Sequence, residues 1–114
     1  MSGVDPQAPA SATAAVPTAQ ASRYLQRLCK HWSHNLAVDF DERAGRVTFP
    51  RDARGASWAS DGEVRFAAHD DRLDVTVNGS SAAQVEALEE VVARHLDRFA
   101  FREAPLTFAW TVVG

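Results

Sequence analysis

Between Leu36 and Val77 the chain falls into four short stretches in which apolar and polar residues alternate. They are Leu36, Val38 and Phe40 around Asp39; Val47 and Phe49 around Thr48; Val64 and Phe66 around Arg65; and Leu73, Val75 and Val77 around Asp74 and Thr76. Period-two alternation describes strands with one dry and one wet face. A sheet made from them has an apolar face that something must cover. Two flanking segments have the right pattern. Tyr24, Leu25, Leu28, Cys29, Trp32 and Leu36 recur at helical spacing behind Ser22, an expected cap, with Arg23, Arg27, Lys30 and His34 on the other side. Val85, Leu88, Val92, Leu96 and Phe99 form a second stripe, opened by Ser81 and Gln84 as a capping box. Its early Glu86, Glu89 and Glu90 and late Arg94, His95 and Arg98 match the helix dipole. Leu106, Phe108, Trp110 and Val112 then alternate as a last strand. The expected fold is α+β: a single, mainly antiparallel β-sheet with two helices packed on one face.

The connections divide the chain further. Asp41–Gly45 and His69–Arg72 read as hairpin turns, and residues 50–62 as a long polar loop carrying Trp58. The Ala/Pro-rich start cannot easily repay the entropy of ordering, so residues 1–13 are expected to be a flexible leader and 14–114 a single α+β domain. The alternative for Ala14–Thr18 is a short edge strand, because Pro17 has no backbone N–H for a second neighbour. The start lacks the basic and continuous apolar parts of a secretory signal, and no window approaches 18 apolar residues, so no membrane insertion is expected.

Charge narrows the partners. Twelve Lys and Arg against 15 Asp and Glu leave a formal net charge of −3, with a pI near 5.7. No cationic excess is available to neutralise a nucleic-acid backbone, so no nucleic-acid partner is expected. A single cysteine, Cys29, excludes an internal disulfide and fits a reducing cytoplasm. The phosphate-binding glycine loops, the zinc-protease helix motif and the serine nucleophile elbow are all absent from the sequence.

The residues with chemical capacity are few. His31 and His34 lie three apart on the first helix, close enough to share a ligand, whereas Cys29 points well away from His34. His95 lies on the flank of the second helix, where packing of the helices can bring it to His31. The competing reading makes both histidines boundary residues bonded to backbone. Cys29 as a nucleophile is disfavoured by its place in the buried stripe. Asp70, Asp71 and Asp74 are read as solvated turn carboxylates. Arg98 and Arg102 flank Phe99 and Phe101, an arrangement that either holds an anion or satisfies the last carbonyls of the helix.

Two strings go beyond generic pattern. SRYLQRLCKHWSH (Ser22–His34) and HLDRFAFRE (His95–Glu103), with the late Trp110, resemble the signature of a bacterial family of unknown function, DUF2218. The matching positions are Tyr24, Leu25, Leu28, His31, Trp32 and His34, then His95, Leu96, Arg98, Phe99, Phe101, Arg102 and Glu103. The resemblance spans about Val16–Val112 and departs from the family in the longer loop at 50–62 and the alanine-rich leader. It implies a small cytoplasmic accessory protein linked to iron or siderophore handling. The expected ligand-binding set is His31, His34, His95, Arg98 and Arg102, holding a small anionic or iron-associated ligand. No cofactor is identified. The alternatives are a protein-interaction module, either homodimeric or partner-binding, using the open sheet face or Trp58, and a small enzyme of unidentified reaction. Convergence of the five residues on one concavity is the feature that separates these readings.

Overall fold

A computed structural model describes residues 9–52, 57–100, 102–103 and 106–113. Strand β1 (Ala10–Pro17) leads into helix α1 (Ala21–Trp32); strands β2 (Ala37–Phe40), β3 (Ala44–Phe49), β4 (Gly62–Ala68) and β5 (Arg72–Gly79) follow, then helix α2 (Ala82–Phe99) and strand β6 (Thr111–Val113). The six strands form one sheet in the order β2-β3-β4-β5-β1-β6, and every neighbouring pair is antiparallel. Val47, Phe49, Val64, Phe66, Leu73, Val75, Val77, Ala12, Ala14 and Val16 are buried on one face, where they meet the stripes of both helices. Full burial of a Val, Leu or Phe side chain contributes roughly 1.5–3 kcal/mol, and of an alanine methyl less. The opposite face is polar and carries the ion pairs Arg46–Asp39, Arg65–Glu63 and Arg72–Asp74.

Two glycines set how closely the helices sit. A Cβ on Gly45 would lie 2.8 Å from Cys29 Sγ, and one on Gly62 would lie 2.5 Å from Leu88 Cδ1. Each helix therefore rests against bare backbone at one point, α1 on β3 and α2 on β4.

Several local expectations are corrected. The edge strand expected at Ala14–Thr18 is an interior strand that begins at Ala10, ahead of the boundary drawn at residue 13. Pro17 is accommodated because β6 reaches only Ser11–Thr13, which leaves Pro17 with β5 as its sole strand neighbour. Residues 1–8 of the expected leader lie outside the described residues. Ser22 does not cap α1: Gln20 occupies that position without a side-chain bond, and the Ser22 hydroxyl donates to the Glu42 carbonyl. Helix α1 ends at Trp32, so Leu36 and His34 lie beyond it. Ser81 does cap α2, accepting from the Gln84 N–H at 3.2 Å, but Gln84 does not close the box. Its buried amide accepts from Ser80 and donates to the Ser60 carbonyl, stitching the helix start to the long loop. The last strand shortens to Thr111–Val113, with Leu106, Phe108 and Trp110 packed half-buried against the core instead.

Candidate functional site

The two helices meet along a seam and run in opposite directions. Tyr24, near the start of α1, contacts Glu103 just past α2, while His31, near the end of α1, meets His95 one turn inside α2. Each end of the seam has its own chemistry.

At one end the His31 and His95 rings lie 5.9 Å apart between centroids. His31 is exposed and packs edge-on against Phe99 at 5.6 Å. His95 is only 9% exposed and rests beside Trp32 at 5.3 Å. Its Nδ1–H donates to the Val91 carbonyl at 2.8 Å, which places the lone pair of the neutral ring on Nε2. Trp32 in turn packs on Phe49 at 5.1 Å and Phe66 at 6.3 Å, so the histidines are backed by core rings.

At the other end a cavity of about 180 Å³ is lined by Arg23, Tyr24, Arg27, Phe99, Ala100 and Arg102. Arg23 and Arg27 are one helical turn apart on α1, and Arg102 reaches in from the turn after α2. The Glu103 carboxylate beside them is engaged: it accepts from the Thr18 hydroxyl at 3.1 Å and from the Tyr24 phenol. Burial, and then the Glu103 carboxylate, hold the Tyr24 phenol above its usual range.

The five residues expected to bind together do not all converge. His31 and His95 meet, and Arg102 joins the cavity at the other end of the same seam. His34 is exposed in the turn after α1, and Arg98 is exposed in the last turn of α2, away from the cavity lining. Phe101 lies outside the described residues. Sequence reasoning missed Arg23 and Arg27, which look like an ordinary solvated helix face until the second helix end is placed beside them. It missed the Thr18–Glu103–Tyr24 network too, which joins residues too far apart in the chain for any local pattern to pair. Phe99, placed in the buried stripe by spacing, is half-buried and forms a wall of the seam.

The other candidates resolve differently. Cys29 is fully buried and its thiol is pushed up to about 12 by desolvation, which makes it a core group and a poor nucleophile. Asp74 is paired with His69 and Arg72 at the hairpin. Trp58 is half-buried, its N–H bonded to the Arg51 carbonyl across the neck of the long loop. Among the described residues no group of three or more His, Cys, Asp or Glu side chains is placed to hold a metal ion, and no helix is long and apolar enough to cross a membrane.

The model of a family described as "Uncharacterized protein conserved in bacteria (DUF2218)" matches residues 13–111. The chain belongs to this family. Both ends of the seam fall inside the DUF2218 match. A solved structure, the NMR structure of PA4090 from Pseudomonas aeruginosa, is similar to this DUF2218 chain at 29% identity and a TM-score of 0.70, over 90% of this chain and 95% of that one. No functionally curated protein matches it.

Proposed function

We propose that this DUF2218 protein is a non-catalytic cytoplasmic binding protein that holds an anionic, iron-associated species at the helix seam, with His31 and His95 as its anchoring pair. The supporting observation is the meeting of two imidazoles from separate helices at 5.9 Å, a separation compatible with both nitrogens addressing one ion. The Nδ1–H bond from His95 to the Val91 carbonyl is the kind of outer contact that orients a ligating histidine. Two imidazoles leave most positions of an octahedral iron to other ligands, so the metal would arrive with its own anionic chelator. The family resemblance adds the iron connection; the geometry adds the pair.

The test is metal retention by protein purified without an affinity tag. After incubation with ferric citrate and desalting, the wild type is expected to retain iron and to show broadened imidazole proton signals for His31 and His95. The His31→Gln, His95→Gln double variant is expected to lose both. Retention unchanged in the double variant, or no retention by the wild type, would remove the reading.

A further inference from the structure

The two edges of the sheet are guarded differently. Proteins protect an edge strand from foreign pairing by charge, by a covering element or by keeping it short. Strand β2 carries Asp39, paired with Arg46, at one edge. At the other, residues 106–113 contain no charged side chain, and β6 has only its shortness. It pairs with β1 alone, so among the described residues its outer edge has no strand neighbour. Val112 stands directly across from Ala12, which sets both on the helix side of the sheet, yet Ala12 is sealed and Val112 is 77% exposed. Helix α2 therefore covers β1 and stops short of β6. Phe108 and Trp110 continue the row of Val112, half-buried and stacked at 5.8 Å with their planes 16° apart.

One flank of α2 overlooks this row. Asp97 accepts from the Leu106 N–H at 2.9 Å, which fixes the flank, and Ala93 and Glu89 follow on it at four-residue steps toward the helix start, both half-buried. The chain doubles back after α2, and eight helical residues rise about 12 Å, much as four extended ones do, so Glu89 lies level with Trp110. Among the described residues Glu89 has no hydrogen bond or ion pair, and neither has Glu86 or Glu90. Burial, and then Glu86, hold the Glu89 carboxyl above its ordinary range. We infer that the β6 edge takes up an extended segment of another protein as a further strand, and that it selects a lysine or arginine on the helix side of that segment. The aliphatic stem lies along Val112 and the Trp110 ring, and the cation meets Glu89. A second copy lacks this complementarity: two β6 strands paired about a two-fold axis at Thr111 set Glu86 and Glu89 of both copies over one groove with no cation between them. Residues 1–8 of the chain itself contain no Lys or Arg.

The test uses the peptide TVTKTVT, blocked at both ends, whose valines and lysine share one face of a strand and whose threonines share the other. It and the control TVTETVT are titrated to ~2 mM into the ¹⁵N-labelled full chain, a range suited to a weak single-strand contact. Saturable shifts are expected at the amides of residues 109–113 and at the Trp110 indole N–H with the lysine peptide, and none with the glutamate peptide. Glu89→Gln is expected to raise the dissociation constant about ten-fold, the worth of one charge-assisted contact, with no fall in thermal midpoint because Glu89 has no partner within the fold. Val112→Lys, at an exposed site, is expected to abolish binding at an unchanged midpoint. The His31→Gln, His95→Gln protein is expected to bind the lysine peptide within about two-fold of wild type, since His95 faces α1, so loss of iron retention there leaves this edge standing. Absence of saturable shifts, equal binding of the two peptides, or an affinity unaltered by Glu89→Gln would overturn the inference. So would sedimentation of the wild type as a dimer that Val112→Lys converts to a monomer, which would give the edge to a second copy.

Discussion

The two ends of the helix seam are held by different forces. Around His31 and His95 the structure is a stack of rings, Phe49 and Phe66 under Trp32, Trp32 beside His95, and Phe99 against His31. Around Tyr24 the partners are polar, with one carboxylate tying β1, α1 and the turn after α2 together. Packing tolerates no vacancy but is indifferent to pH and salt, while a carboxylate network answers to both. The histidine end is thus the rigid part of the groove and the arginine end the adjustable one.

Substitutions can break this contrast. Trp32→Ala removes a buried ring that three other rings lean on, and a loss of about 3–5 kcal/mol is expected in urea unfolding. Phe99→Ala, at a half-buried wall, is expected to cost less than half as much. Equal losses would mean that the seam wall is core. Glu103→Ala leaves the buried Thr18 hydroxyl and the Tyr24 phenol without their acceptor, and about 1–3 kcal/mol is expected. A loss below about 0.5 kcal/mol would show that water satisfies both hydroxyls once the carboxylate is gone. At the other end, His95→Gln is expected to cost about 1–2 kcal/mol through the lost bond to Val91, against less than about 0.5 for exposed His31→Gln.

The smallest effect is spectroscopic. Tyr24 is the only tyrosine, so absorbance near the tyrosinate band reports it alone. Its folded pKa is raised, chiefly by burial and then by Glu103, so it should titrate above the ordinary value of 10.0. The sign follows from linkage: the stability this contributes is complete below the unfolded pKa and is lost as pH rises through the folded one. Glu103→Gln should move the midpoint part of the way back, leaving the burial contribution. A midpoint that does not move would show that the carboxylate has no influence on the phenol.

Much of the architecture was legible because hydrophobic periodicity carries it. Strands β3, β4 and β5 and both helix stripes are written in Val, Leu, Phe and Trp, whose spacing reports the buried face directly; the same alternation in β2 does not, because β2 is an edge strand where Leu36 and Val38 are half-buried and Phe40 is exposed. Strand β1 was misplaced because its core side is Ala12, Ala14 and Val16 and its wet side Ser11 and Thr13: the alternation is present, but small side chains give it little contrast. At the site, His31 and His95 could be paired because each sits on the flank of a recognisable stripe. Arg23 and Arg27 could not, since their meaning depends on a turn after α2 that docks against the start of α1, and only the assembled fold brings Arg102 there.

The interior position of β1 has a kinetic meaning. Strands β2 to β5 pair with their sequence neighbours and can zip up as a meander through two tight turns and one longer loop between β3 and β4. Strand β1 waits for partners far away: Ser11 bonds to Asn78, 67 residues along the chain, and the other edge of β1 is joined by β6 farther still. Such non-local pairing carries its loop-closure entropy before any contact rewards it, which makes β1 docking a late step in folding. Near-zero φ-values at Ala12 and Ala14 beside larger ones at Val64 and Val75 would be its signature; high values at Ala12 would place β1 in the nucleus instead. Until that step Glu103 lacks one of its two hydroxyl donors, and the start of α1 is less firmly tied to the turn after α2, because Thr18 follows directly from the last strand residue of β1.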